Sequence, residues 1–153
     1  MTTTFSQIFI QVIFSVKSRK SLIPQEKLEE VFEYIAGIVR SKGHKPIIVG
    51  GASSHVHVFF GLKPGGSISG LVRDIKNNTT NFINLQDWMT DKFCWQSGFG
   101  AFSYGKSQVE QVYNYISNQA EHHKTKSFRD EYRMFLEKFG VEYDEKHLPP
   151  EIE

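Results

Sequence analysis

Two histidines separated by a single residue, His55 and His57, begin an apolar run that extends to residue 62. Side chains on a β-strand repeat every second residue on the same face, so both imidazoles would project together, away from Val56 and Val58. Two adjacent imidazoles can chelate one metal ion, but ordinary core or surface histidines show the same spacing. The pair therefore indicates a metal site only if a further ligand joins it.

A second group of polar side chains lies on a helix expected after residue 107. Steps of about 100° per residue place Tyr115 and Gln119 on one polar face, with Gln119 one turn after the tyrosine. Taken singly, an exposed tyrosine or a solvated glutamine is the simpler interpretation. The apolar stripe of this helix is predicted to comprise Val109, Val112, Tyr113, Ile116 and Ala120. Burial would then explain Tyr113 without any function, whereas Tyr115 is harder to explain by packing.

The composition fits a single domain of 153 residues, 39% of them hydrophobic. The net charge of +1 does not by itself indicate a nucleic-acid-binding protein, so any basic surface must be local. Cys94 is the only cysteine, which excludes an internal disulfide or a thiolate metal cluster and suits the cytoplasm. The apolar N-terminal run is too short to span a bilayer, and we expect no membrane partner.

Hydrophobic periodicity predicts the elements that must position these residues. It indicates strands near 8–16, 47–49, 56–62 and 99–104 and helices over 28–39, 68–83, 107–120 and 128–139, with Ser67, Ser107 and Ser127 as N-terminal caps. This order predicts an α+β fold, a ferredoxin-like antiparallel sheet with helices packed on it. One domain is expected over 1–153, with its core at about 5–140 and a polar, peripheral tail at 141–153.

Several separated segments resemble one protein family. The segment 55–57 and the segment 115–123, which reads YISNQAEHH, resemble the two signature motifs of the single-tyrosine transposases of the HUH endonuclease class. These enzymes, the insertion-sequence-200-like transposase family, move the smallest bacterial insertion sequences as single-stranded DNA. The segments 14–19, 95–103 and 128–132 resemble the family's first strand with its basic exit, the strand before the tyrosine helix, and the last helix. Gln11 and Ser54 stand where relatives often carry a histidine and an acid, and neither is expected to touch the ligands.

The resemblance implies a metal-dependent tyrosine DNA endonuclease and strand transferase. Tyr115 would form a covalent 5′-phosphotyrosine, and His55, His57 and Gln119 would hold a divalent metal, Mg²⁺ or Mn²⁺. A metal can activate the phosphate towards tyrosine, which is a poor nucleophile with a pKa near 10. The family also implies single-stranded DNA with hairpin ends as partner, and a homodimer that merges two sheets and shares its active sites between subunits.

Two other functions stay open at this point. A domesticated relative could bind hairpin DNA or RNA without turnover, although an intact set of site residues argues against it. An unrelated metal hydrolase that uses water would have no need of Tyr115. Basic clusters could contact DNA, although each one alone is more often a solvated face. The candidate DNA-binding residues are Lys17, Arg19, Lys20, Arg73, Lys76, His122, His123 and Lys124.

Overall fold

The structure is a computed structural model that describes residues 3–152, except for the side chains of residues 122 and 123. The described chain forms strands β1 (Phe9–Ser15), β2 (Lys45–Ala52), β3 (His55–Gly61) and β4 (Gly100–Tyr104). Its helices are α1 (Leu28–Ser41), α2 (Ile68–Asn84), α3 (Val109–Ser117), α4 (Gln119–Thr125) and α5 (Phe128–Lys138). The predicted elements are thus confirmed in type and order, with one exception at residue 118.

The strands form one sheet in the order β2-β3-β1-β4, in which every neighbouring pair is antiparallel. The first strand lies inside the sheet, which explains why Phe9 and Ile13 make it apolar on both faces. Two β-α-β units with this strand order form the ferredoxin-like α+β arrangement that the sequence predicts.

The two faces of the sheet have different roles. Val56, Val58 and Phe60 of β3 face the large core that α1 and α2 cover. The alternate residues of the same strand, His55, His57 and Phe59, face the side covered by α3 and α5. Because adjacent strand residues point to opposite faces, this alternation directs both imidazoles towards the side covered by α3 and α5.

Two of the three predicted helix caps are confirmed. Ser67 and Ser127 each accept a hydrogen bond from the backbone N–H three residues later, at 2.9 and 3.2 Å. The prediction for Ser107 was wrong, because a 3₁₀ turn over Lys106–Gln108 precedes α3. There the backbone N–H of Gly105 donates to the side-chain oxygen of Gln108 at 2.9 Å.

The expected single helix after residue 107 is broken at Asn118, between α3 and α4. Val112 and Ile116 are buried as predicted, but Tyr113 is 44% exposed and Ala120 is also exposed, which corrects the predicted stripe. Ala120 is exposed because the break at Asn118 interrupts the helical periodicity, so that Gln119 is buried in its place. Tyr113 is exposed because α3 packs on the edge strand β2 through the narrower stripe of Val112 and Ile116.

The C-terminal segment also departs from expectation. It is polar in composition, yet Leu148 and Ile152 are buried against the body of the protein. Arg129 Nη1 donates to the carbonyl of Pro149 at 2.9 Å, and Arg19 Nε donates to the carbonyl of Ile152 at 2.7 Å. Two buried apolar anchors and two arginine bonds therefore fix a segment that we expected to be peripheral. Within residues 3–152, no helix has the length and apolar character needed to cross a membrane.

Candidate active site

His55 and His57 are buried, with 1% and 0% of their surfaces exposed. Nδ1 of His55 lies 3.0 Å from the hydroxyl of Ser54, and Nδ1 of His57 lies 2.6 Å from Oε1 of Gln11. The expectation that Gln11 and Ser54 would not touch the ligands was therefore wrong. Both contacts occupy the Nδ1 side of a ring, so the Nε2 atoms point together into the space beneath α3 and α5. Partners of this kind fix the orientation of metal-binding imidazoles.

The structure brings Gln119 and Tyr115 to the same place. Gln119, the first residue of α4, is only 2% exposed, and its Oε1 lies 2.7 Å from Nε2 of His55. The ring of Tyr115 is half-buried and stands nearly perpendicular to the His57 ring, with their centroids 6.1 Å apart. All four residues singled out in the sequence thus meet within one chain. An active site shared between two subunits is not required to complete this arrangement, and the homodimer stays a prediction.

Sequence reasoning missed a fifth residue, Glu131 on α5, which is only 4% exposed. Its Oε1 lies 3.1 Å from Nε2 of His57 and 3.4 Å from Nε2 of His55. Its Oε2 accepts hydrogen bonds from the hydroxyl of Tyr115 and, at 2.9 Å, from the amide nitrogen of Gln119. This one carboxylate therefore contacts every residue of the predicted site. The available signal was its spacing, three residues after the buried Phe128 and four before the buried Phe135.

The electrostatics of the site favour an ionised Glu131 and a neutral Tyr115. Burial opposes ionisation of Glu131, but the His57 ring, its hydrogen bond and the His55 ring outweigh burial, so the pKa of this carboxyl lies well below its usual value. Burial, followed by the negative charge of Glu131, raises the pKa of the Tyr115 hydroxyl well above its ordinary value. Tyr115 is thus a protonated phenol at neutral pH, beside an acceptor.

The donor atoms of the site fit a divalent cation. One ligand atom from each of His55, His57 and Glu131 can be chosen so that all lie within 4.8 Å of one another. Gln119 adds an amide oxygen beside His55. Imidazole nitrogens and carboxylate or amide oxygens are ligands that Mn²⁺, Zn²⁺ and related ions accept. A metal ion next to a tyrosine hydroxyl is an arrangement suited to phosphoryl transfer.

The basic turn after β1 lies at the same end of the sheet as the site. Ser15, the last residue of β1, pairs with His55 in the sheet register, and the exposed Lys17, Arg19 and Lys20 follow it directly. Arg19 is partly engaged, because its Nε bonds to the carbonyl of Ile152. Their contact with DNA stays a prediction, and their position beside the site is compatible with it.

The other basic residues differ in their surroundings. Lys76 Nζ donates to the carbonyls of Gln96 and Gly98 at 2.9 and 2.7 Å, which gives it a structural role in holding that loop. Arg73 and Lys124 are exposed, and each lies near an acidic neighbour on its own helix. The side chains of His122 and His123 lie outside the described part of the chain.

Comparisons with known proteins agree with this geometry. Residues 4–119 match the family described as "Transposase IS200 like". A structure from Deinococcus radiodurans R1 assigned as a transposase superposes with a TM-score of 0.59 at 17% identity, over 78% of this chain and 95% of that one. A REP-associated tyrosine transposase bound to a REP hairpin gives a TM-score of 0.59 at 16% identity, over 80% of this chain and 73% of that one. These two similarities show a common fold. No significant match was found among curated protein sequences.

Proposed function

This chain belongs to the IS200-like transposase family, and we propose that it cleaves and rejoins single-stranded DNA with Tyr115 as the nucleophile. The observation that carries the proposal is the convergence of the Tyr115 hydroxyl with His55, His57 and Gln119 around a single buried carboxylate. A hydrolase that activates water would gain nothing from a tyrosine hydroxyl at this position. The family match supplies DNA as the substrate class.

In the proposed cleavage step, the phenolic oxygen of Tyr115 attacks the scissile phosphorus and loses its proton. The new oxygen–phosphorus bond forms as the bond to the 3′ oxygen breaks, and that oxygen keeps the electron pair and takes up a proton. The product is a 5′-phosphotyrosine and a free 3′ hydroxyl. Because the phosphotyrosine conserves the energy of the phosphodiester, attack by a 3′ hydroxyl can reverse the step and join strands without another energy source.

The proposed metal is Mg²⁺ or Mn²⁺, held by His55, His57 and Gln119. When bound, such an ion would polarise the phosphate and stabilise the charge that develops on its oxygens. Gln11 and Ser54 orient the two imidazoles through their Nδ1 atoms, and the burial of the site restricts access of water.

The proposed substrate is single-stranded DNA with hairpin ends. The structural neighbour bound to a REP hairpin supports this choice, since it has the same fold. The exposed basic turn at Lys17, Arg19 and Lys20 adjoins the site and could bind the phosphates of such a strand.

Labelled single-stranded oligonucleotides from the flanks of the gene test the nucleophile. The wild-type protein should form a covalent adduct on a denaturing gel, and Tyr115→Phe should form none. Tyr113→Phe is the matched control, because Tyr113 is exposed on the same helix and should behave as wild type. An adduct in Tyr115→Phe, or its loss in Tyr113→Phe alone, would refute the assignment. Hairpin binding by the wild type without any adduct would instead identify a binding protein without turnover.

Chelation and ligand substitutions test the metal. Treatment with a chelator, His55→Ala and His57→Ala should each abolish adduct formation. Gln119→Ala should weaken metal binding and recover part of its activity at high Mg²⁺ or Mn²⁺ concentration. Full activity in a sample verified free of metal would contradict the metal-dependent mechanism.

A further inference from the structure

The hydrogen bonds of His57 determine which of its ring nitrogens can bind a metal. Gln11 donates through Nε2 to the hydroxyl of Tyr104 at 2.8 Å, which directs its Oε1 at Nδ1 of His57, 2.6 Å away. An amide oxygen can only accept a hydrogen bond, so Nδ1 of His57 carries the hydrogen. In a neutral imidazole, Nε2 is then a bare acceptor.

That bare nitrogen faces another acceptor, Oε1 of Glu131, at 3.1 Å. Two lone pairs at this distance repel each other unless a positive charge lies with them. Oε1 also lies 3.4 Å from Nε2 of His55. The carboxylate is only 4% exposed, and among the side chains that the structure describes, no lysine or arginine pairs with it. Such a buried carboxylate is strongly unfavourable unless a positive charge lies beside it. That charge is either a protonated His57 or a cation held by His55, His57 and Glu131, whose ligand atoms lie within 4.8 Å of one another.

We propose that Glu131 is itself a metal ligand and forms, with His55 and His57, a two-histidine, one-carboxylate site. This inference rests on the proposed metal-dependent function and adds a ligand that the histidine–glutamine set lacks. A carboxylate oxygen is a hard ligand, which suits Mg²⁺ and Mn²⁺ better than three neutral groups do. Oε2 of the same carboxylate accepts from Tyr115 and Gln119, so the metal and the nucleophile are held through one side chain.

Mn²⁺ binding to the metal-stripped full-length chain tests the proposal without any DNA cleavage. The loss of the free Mn²⁺ signal in electron paramagnetic resonance gives the affinity of each variant. Glu131→Gln, which keeps the shape but removes the charge, should weaken Mn²⁺ binding roughly tenfold or more. Glu131→Asp should bind with intermediate affinity. Glu137→Gln is the matched control, because it removes the same charge from an exposed position on the same helix.

A second measurement distinguishes the loss of a metal ligand from misfolding of the variant. Circular dichroism establishes that each variant is folded, and Mn²⁺ should raise the Tm of the wild type and of Glu137→Gln but not that of Glu131→Gln. If Glu131→Gln fails to fold, Glu131→Asp decides, with a loss of several-fold in affinity supporting the proposal and an unchanged affinity overturning it.

The outcomes separate this inference from the proposed function. A folded Glu131→Gln protein with wild-type Mn²⁺ affinity overturns the ligand role, because the contact is then a simple ion pair with a protonated His57. The tyrosine chemistry and the histidine–glutamine site would still stand. A wild-type protein that forms adducts yet binds no Mn²⁺ or Mg²⁺ overturns the metal-dependent function, and with it the present proposal.

Discussion

The hydroxyl of Tyr115 donates a hydrogen bond to Oε2 of Glu131, a buried carboxylate on α5. The orientation of Tyr115, the proposed nucleophile, is therefore fixed by α5, a later helix of the same chain. Burial, followed by the adjacent negative charge of Glu131, raises the pKa of the Tyr115 hydroxyl, so the phenol stays protonated. The hydrogen bond to Glu131 must break when the phenolic oxygen forms a bond to a phosphate.

Tyr115→Phe is expected to reduce stability as well as to abolish the adduct. The substitution removes the hydroxyl that donates to Oε2 of Glu131, so that this oxygen keeps only the hydrogen bond from the amide of Gln119. A hydrogen bond to a charged group contributes about 1.5–3 kcal/mol. The free energy of unfolding in urea should fall by a comparable amount. The exposed Tyr113→Phe should change it by less than about 0.5 kcal/mol. Equal stability of the two variants would indicate that the Tyr115–Glu131 bond is absent in solution.

Gln11→Ala is expected to weaken Mn²⁺ binding even though Gln11 is not proposed as a ligand. The substitution removes the acceptor that fixes the ring of His57, and the loss of such a partner typically lowers metal affinity about 10–100-fold. Calorimetry on the folded variant measures the effect. Gln7→Ala, an exposed position before the same strand, should bind Mn²⁺ as the wild type does. Unchanged affinity in Gln11→Ala would show that Gln11 does not orient His57.

The parts of the site that depend on local periodicity could be predicted from the sequence. His55 and His57 share a face because strand residues alternate. A continuous helix also predicts Gln119 one turn after Tyr115, whereas the structure buries Gln119 in the site after a break at Asn118. Glu131 also lies at helical spacing from the buried Phe128 and Phe135, but that spacing alone does not distinguish it from a solvated acid. An acid in the first turn of a helix is usually explained by the helix dipole, and its burial depends on which face of α5 meets the sheet. That choice is a long-range packing property.

The break at Asn118 escaped prediction for a related reason. A continuous helix fitted the local pattern, and it placed Tyr113 on the buried stripe. Gly50 on β2 packs directly against Ile116 of α3, so contact with the edge strand determines the position of that helix. The sequence contains both residues but does not show that they meet.

Gly50→Ala is expected to displace α3, the helix that carries Tyr115. A Cβ at this position would lie 2.8 Å from Cγ2 and 2.9 Å from the carbonyl oxygen of Ile116, closer than packing permits. Overpacking of this kind costs about 1–3 kcal/mol of stability. A shift of about 1 Å at the neighbouring Tyr115 would reduce the rate of adduct formation about a hundredfold.

Gly37→Ala provides the control for this substitution. A Cβ at Gly37 in α1 meets no atom within 4 Å, so alanine should stabilise the helix by about 0.5–1 kcal/mol and leave the rate unchanged. Single-turnover kinetics and urea denaturation measure both effects. A Gly50→Ala protein with the wild-type rate would show that α3 does not depend on this close contact.

Lys76 is expected to make stability depend on pH. Two carbonyl oxygens bind its ammonium, yet burial lowers its pKa from 10.5 to about 8 in the folded protein. Above pH 8 the unfolded chain therefore binds more protons than the folded chain does. The contribution of Lys76 to the free energy of unfolding rises with pH from about 8 towards 10.5.

Comparison with Lys76→Met isolates this contribution. The free energy of unfolding of the wild type should rise relative to that of Lys76→Met between pH 8 and 9.5, which is about 0.5 units below the ordinary pKa of tyrosine. Lys92→Met, at an exposed position, should follow the wild type throughout. A constant difference between wild type and Lys76→Met over this range would show that Lys76 keeps its ordinary proton affinity.

Mixed dimers are expected to show whether each active site belongs to one chain. His55 and Gln119 of the same chain lie 2.7 Å apart, and the same chain's Glu131 bonds to Tyr115, so the structure predicts self-contained sites. The family resemblance predicts sites shared between subunits. The test combines a His55→Ala, His57→Ala subunit with a Tyr115→Phe subunit in purified heterodimers, each parent homodimer being inactive.

With self-contained sites, neither chain of the heterodimer is complete and no adduct forms. With shared sites in a two-fold dimer, the Tyr115→Phe chain supplies its histidines to the tyrosine of the other chain, which restores one of two sites and about half of the wild-type adduct. Adduct formation by the heterodimer would therefore show that the helices carrying Tyr115 and Gln119 exchange between subunits, and its absence in a heterodimer that binds DNA would confine the reaction to one chain.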